Sequence, residues 1–344
     1  MDAVCRVVTR SATVRGAGAL TMAVVALWWL LPRVAGVQWG AVSSVLAGIE
    51  ARQILALAVL WLAGLLAHSF VLTNALPGLS RRRALTLNLT GSAVSNVLPF
   101  GGAAGVALNL AMVRAWRFGR RAFGTFLFVT NAWDVLAKLV LPLVAAVALV
   151  TVGGGLTPAI EVGAGIAAVL LTVLVATAVG LLVSDRVAVA VAGLLAAAAQ
   201  VVLRRTRPAQ PAVAAGLLEA RAQVRAVITE RWAKLTAGMG TYVALQLVLL
   251  WACLQAVGQP SPWTTCVVAL AVDRLLSLVP LTPAGTGVAE LGTTAALVGL
   301  GADPLGAAAG VLLFRLFIVV LEIPVGGLWI GLWMVARRHQ EANG

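Results

Sequence analysis

Apolar residues in this chain come in long runs, and basic residues stand between the runs. Stretches 16–31, 51–76, 122–150, 162–183, 235–257 and 305–335 approach or exceed the length of about 20 residues that a helix needs to cross a hydrocarbon core. Six full spans are therefore expected. Two further apolar stretches behave differently, because each is broken in its middle.

The first broken stretch, 84–113, carries no charge. Arg81, Arg82 and Arg83 precede it, and Arg114, Arg117, Arg120 and Arg121 follow it. Basic clusters stay on the cytoplasmic side, so this stretch begins and ends on one face. Pro99-Phe100-Gly101-Gly102 supplies a turn, since proline lacks an amide donor and glycine reaches dihedrals closed to other residues. The pattern predicts a re-entrant hairpin with arms at 85–98 and 103–113. The second stretch, 263–301, breaks at 280–287. By the same charge count it enters and leaves on the opposite face. Two thin full spans are the alternative and keep the same parity.

The polar-leaning connector 184–232 belongs on the cytoplasmic side. Within it, 187–202 is read as an inward continuation or a helix on the membrane face, because a crossing would expose Arg204, Arg205 and Arg207 outside. Residues 212–232 alternate Val213, Leu217, Leu218, Val224 and Ile228 with Glu219, Arg221, Gln223, Arg225 and Arg231. That helical spacing suits an amphipathic helix in the interface plane. Both termini are expected in the cytoplasm. The apolar run after Arg6, Arg10 and Arg15 lacks a small-residue cleavage site and reads as a retained helix.

Sliding residues 51–150 forward by 182 positions aligns the broken stretches. Arg52 falls on Lys234, Gly105-Val106-Ala107 on Gly287-Val288-Ala289, Gly124 on Gly306, and Pro142 on Pro324. Each unit (about 51–150 and 233–332) reads span, hairpin, span, and the two units point in opposite directions. Inverted repeats with broken helices meeting near the midplane are a transporter architecture. An accidental match between generic membrane segments is the competing reading. The expected fold is an all-α polytopic membrane protein, a single transmembrane domain over 1–344 with six spans and two re-entrant hairpins.

Composition sharpens this. Of 344 residues 61% are hydrophobic and 11% charged, against about 25% charged in soluble domains, so no large soluble domain is expected. The net charge of +13 would suit nucleic acid, but the arginines sit at span ends and read as topology signals and contacts to anionic lipid. The three cysteines and two histidines have no metal-ligand spacing. No nucleophile elbow, zinc-protease or nucleotide-cradling motif occurs, so no enzyme, cofactor or metal is expected.

Ionisable groups inside spans are rare, costly and by default functional. Asp134 and Lys138, four apart, share a helix face and can neutralise each other. Asp273-Arg274 and Glu290 belong to the second broken stretch. Arg315 and Glu322, seven apart, are expected on one face of the last span. Arg315 lies too deep to reach water, so a contact with Glu290, or with a phosphate between them, is expected. His68 reads as a satisfied polar residue. Asn88-Leu89-Thr90 matches a glycosylation acceptor but lies in the apolar hairpin and is discarded.

The two breaks carry a resemblance. Asn96-Val97-Leu98-Pro99-Phe100-Gly101-Gly102 and Pro280-Leu281-Thr282-Pro283-Ala284-Gly285-Thr286-Gly287-Val288-Ala289-Glu290 resemble the two motifs of the lysylphosphatidylglycerol synthase transmembrane region. That is the flippase part of multiple peptide resistance factors and their free-standing relatives. The helix bearing Arg315 is similar as well. The resemblance covers about 51–333; Ala284 departs from the family's glycine. It implies a bacterial plasma-membrane protein that moves a polar lipid through a cavity at the hairpin tips. The substrate-binding residues it implies, with the buried charges, are Asn96, Pro99, Gly101, Gly102, Asp134, Lys138, Arg274, Pro280, Thr282, Pro283, Gly285, Gly287, Glu290, Arg315 and Glu322. No counterpart of the aminoacyltransferase domain follows Arg338, so synthase activity is not expected. The expected partners are anionic or phosphate-bearing lipids. The alternative is a non-transporting partner of an envelope-synthesis enzyme, docked through 212–232. The lipid, the direction, the energy coupling and the oligomeric state stay open.

Overall fold

The structure, a computed structural model, describes residues 37–97, 101–152, 158–184, 186, 210–278 and 285–342. These residues form helices and no strand. The expected first span and segment 187–202 lie outside them, as do Pro99, Pro280, Thr282 and Pro283.

A short helix, α1 (Trp39–Ala47), precedes α2 (Ala51–Ala75), α3 (Arg81–Val97), α4 (Gly101–Ala115), α5 (Arg120–Thr151) and α6 (Pro158–Val183). The second half holds α7 (Gln210–Ala256), α8 (Trp263–Leu276), α9 (Val288–Gly299), α10 (Pro304–Arg315), a π turn (Leu316–Val320) and α11 (Glu322–Ala342). Start signals are local. The Glu50 amide donates to Gln53 Oε1 at 2.9 Å to open α2, and Asp303 Oδ2 accepts the Gly306 amide at 2.8 Å to open α10.

Among the described residues, five helices are long and apolar enough to cross a membrane: Ala51–Ala75, Arg120–Thr151, Ile160–Ala178, Arg221–Ala256 and Pro304–Arg337. Their outward faces are apolar. Leu55, Val59, Leu62 and Leu66 of α2 and Val162, Ile166, Val169 and Val173 of α6 are exposed at helical spacing. Water does not tolerate apolar faces of that extent, and hydrocarbon does. The molecule is an all-α polytopic membrane protein.

α3 and α4 pack antiparallel, as do α8 and α9. Close contacts need missing side chains: Gly105 lies against the Gly91 carbonyl, and Gly292 against Leu276. α2 and α7 form the most extensive interface, where Gly238 faces Phe70 and Val71. Two further contacts correspond under the 182-residue shift. α5 lies on α8, and α11 lies on α3. Each unit's last helix therefore packs on the other unit's hairpin.

Two expectations are corrected. Segment 212–232 is not a separate helix in the interface plane; it is the first part of the 47-residue α7. No breaker separates Trp232 from Leu235, and one buried stripe continues through Val224, Val227, Leu235 and Met239. Val224 and Val227 pack with Phe123 and Phe126, so that part of the stripe is covered. The last span is also not one regular helix. The Leu321 amide reaches the Leu316 carbonyl at 2.8 Å, five residues back, and Pro324 supplies no amide to repair the register.

His68 is satisfied, as expected: its Nδ1 lies 2.9 Å from Asn88 Oδ1, and its ring packs on Tyr242 at 4.8 Å. Asn88 also donates to the Leu65 carbonyl at 3.2 Å. Asn88→Leu should strand these groups and cost about 1–3 kcal/mol. A lowered melting temperature in detergent checks it; no change would show that water replaces the amide.

Candidate functional site

Four charges meet where hairpin α8–α9 faces the end of α10. Arg315 Nε donates to Glu290 Oε1 at 2.8 Å, and its Nη1 donates to Asp273 Oδ1 at 3.4 Å. Arg274 Nε lies 3.5 Å from Asp273 Oδ2. Asp273, Glu290 and Arg315 are 0%, 3% and 5% exposed, while the Arg274 side chain keeps 15% exposure at the edge of this neutral quartet. Opposite charges at this depth persist because each offsets the other's lost hydration.

The local chain builds the quartet. Gly287 has φ 90°, where a side chain is strained, and it turns the backbone into α9. Its amide donates to Glu290 Oε2 at 2.6 Å. Glu290 thus sits in the first turn of α9, where the helix dipole favours a carboxylate. Gly285, at φ 67°, makes the preceding bend against Ser277.

The quartet is not fully hydrogen-bonded. Asp273 Oδ2, Arg274 Nε and Arg274 Nη2 are buried and have no hydrogen-bond partner among the described residues. The Asp273–Arg274 pair is within Coulomb range but out of line for a hydrogen bond. Native interiors satisfy nearly all such atoms, so spare donors on a buried guanidinium invite an oxygen ligand.

The other expected site residues divide. Glu322 does not share a face with Arg315. The π turn between them adds a residue to the turn and rotates Glu322 away, toward Ser92 and Asn96 of α3 and Trp61 of α2. Asn96 donates to the Val319 carbonyl at 3.3 Å, inside the π turn. The last span therefore touches both hairpins, one on each side of its π turn. Gly101 and Gly102 open α4. Asp134 and Lys138 form their own pair at 2.7 Å on α5, apart from the quartet. Asp273 is the residue missing from the expected set. Its sequence signal was its place beside Arg274 in an apolar helix, and only the fold aims it at Arg315.

The two seams between hairpins and partner helices differ. Gly326 of α11 lies so close to the Leu89 carbonyl and Ala93 of α3 that no side chain fits. The shift of 182 places Leu89 on Ala271 and Ala93 on Leu275. There the seam holds an apolar cavity of about 290 Å³, lined by Pro142 and Ala145 of α5, Ala271 and Leu275 of α8, and Ala296 of α9.

Apolar outward faces, two helical hairpins and a largely buried charge cluster define a helical membrane protein with a polar centre. The chain belongs to the family described as the lysylphosphatidylglycerol synthase TM region, whose profile matches residues 16–326. No curated protein matches the chain.

Proposed function

We propose that the protein moves a phosphate-bearing polar lipid between leaflets. The observation that carries this reading is the pair of buried Arg274 donors that have no hydrogen-bond partner among the described residues. A phosphate oxygen would fill them and compete with Asp273 and Glu290 for Arg274 and Arg315. The head group would pass the quartet while the acyl chains stay in hydrocarbon, along a seam such as the apolar cavity beside α8.

The two units act as an inverted repeat in this reading. One seam is closed by Gly326, and beside its equivalent α5, α6, α8 and α9 leave an apolar cavity, an asymmetry of the kind that alternating access needs. Asn96, bonded inside the π turn, would couple hairpin α3–α4 to the helix that carries Arg315. The family supports a lipid-related role. Transport would run passively or on an ion gradient.

Reconstitution tests it. Purified protein in vesicles holding a head-group-labelled anionic phospholipid should speed loss of the label to a membrane-impermeant quencher. Rates equal to protein-free vesicles, across anionic and zwitterionic labelled lipids, would overturn the flippase reading and leave the non-transporting partner.

A further inference from the structure

We propose that a second, basic cavity, at the junction of α3, α4 and α11, docks the phosphate of an anionic phospholipid. It is distinct from the buried quartet. Its volume is about 420 Å³, and its walls include Arg83, Trp116, Arg117, Trp333 and Arg337. Among the described residues, no carboxylate lines it.

The arginines are arranged, not merely crowded. The Arg83 guanidinium lies over the Trp116 ring, 5.3 Å from its centroid, and that of Arg337 lies over Trp333 at 5.7 Å. Stacking engages the face of the Arg83 guanidinium and leaves its N–H edge in the plane. That edge is the part that binds two phosphate oxygens at once.

Arg117 adds an independent observation. It ends α4 in the left-handed region, at φ 67°, and the Phe118 amide closes back to the Val113 carbonyl at 3.1 Å. Glycine is the residue that this helix-ending turn favours, because a β-carbon is strained there. An arginine held in that conformation at the wall of a cavity is an outlier of the kind that gathers at ligand sites.

The surroundings select a lipid as the source of the phosphate. Leu328, Leu332 and Val335 form an exposed apolar face on α11 that leads to this end of the helix. Tryptophans favour the boundary between hydrocarbon and head groups. Acyl chains along that face would bring a phosphate level with Trp333 and the arginines. Trp329, one turn deeper, donates to Thr86 at 3.1 Å and ties α11 to α3 beneath the cavity.

The test reads binding, not transport, so it stands or falls apart from the flippase reading. The full chain is placed in zwitterionic nanodiscs with a minor fraction of phosphatidylglycerol, and retention of that lipid is measured by native mass spectrometry. Arg117→Gly should keep or raise the melting temperature and weaken retention about tenfold, the loss of one charge-assisted contact. The double variant Arg81→Gln/Arg82→Gln removes more charge from the start of α3, outside the cavity. It should change retention less than about twofold, as exposed charges do. Equal losses in both variants would mean diffuse attraction and overturn the site. Displacement of the lipid by millimolar inorganic phosphate would overturn the lipid assignment; persistence supports it. A phosphatidylglycerol with a photoreactive head group, used on the unmodified protein, should mark the peptides holding Arg83, Trp116 and Trp333. Marks spread over the other basic helix ends would overturn the proposal without any variant.

Discussion

Arg315→Ala is expected to destabilise the protein by about 3–5 kcal/mol, the usual cost of removing one partner from a buried ionic cluster. Asp273 and Glu290 are 0% and 3% exposed, and both direct a carboxylate oxygen at the Arg315 guanidinium. Truncation leaves buried Asp273 with Arg274 at 3.5 Å and buried Glu290 with the Gly287 amide, neither with the Arg315 charge that faced it. Arg315→Lys separates stability from function. An ammonium restores the charge but cannot hold Glu290 through Nε and Asp273 through Nη1 together. The lysine variant should recover most of the melting temperature in detergent yet stay impaired in vesicle translocation. Glu290→Gln should partly rescue the alanine variant's stability, because it removes one uncompensated charge. Arg315→Ala unfolding like the wild-type protein would show that the quartet holds no net stability. Full translocation by Arg315→Lys and Glu290→Gln would remove the quartet from the transport path.

Gly326→Ala should also be severe, and Gly327→Ala nearly silent. A β-carbon on Gly326 would collide with the Leu89 carbonyl and the Ala93 methyl, and backbone cannot give way as a side-chain tip can. A β-carbon on Gly327 meets nothing within 4 Å. Forcing α11 from α3 loses packing along most of hairpin α3–α4, so a cost of about 1–3 kcal/mol or more is expected. It also wedges open the seam that is closed here. Under the proposed mechanism, Gly326→Ala should therefore slow translocation beyond its effect on stability. The two variants, adjacent and chemically identical, share any effect of helix propensity. Equal melting temperatures would show that α11 and α3 do not approach as closely as described.

The sequence alone carried the membrane class, the positions of the long helices and the two breaks. Those properties depend on run length, hydropathy and the clustering of proline with glycine at the breaks, all of which are local. It also carried the Arg315–Glu290 contact, because a charge too deep for water needs a partner and few candidates exist. The tertiary structure decided what depends on rotation about a helix axis. Spacing put Glu322 on Arg315's face, but the π turn between Leu316 and Val320 sends the two toward different hairpins. Asp273 looked like the neighbour of Arg274 and became a partner of Arg315 once α8 packed. The pattern over 212–232 was amphipathic either in the interface plane or as an extension of α7, since a buried stripe looks the same against lipid or protein. Only the contacts of Val224 and Val227 with Phe123 and Phe126 distinguish the two. The arginine clusters at the helix ends read as topology signals from their order in the chain. It took the folding of Trp116 and Trp333 beside Arg83 and Arg337 to make a cavity of them, because the residues that form it come from helices more than two hundred positions apart.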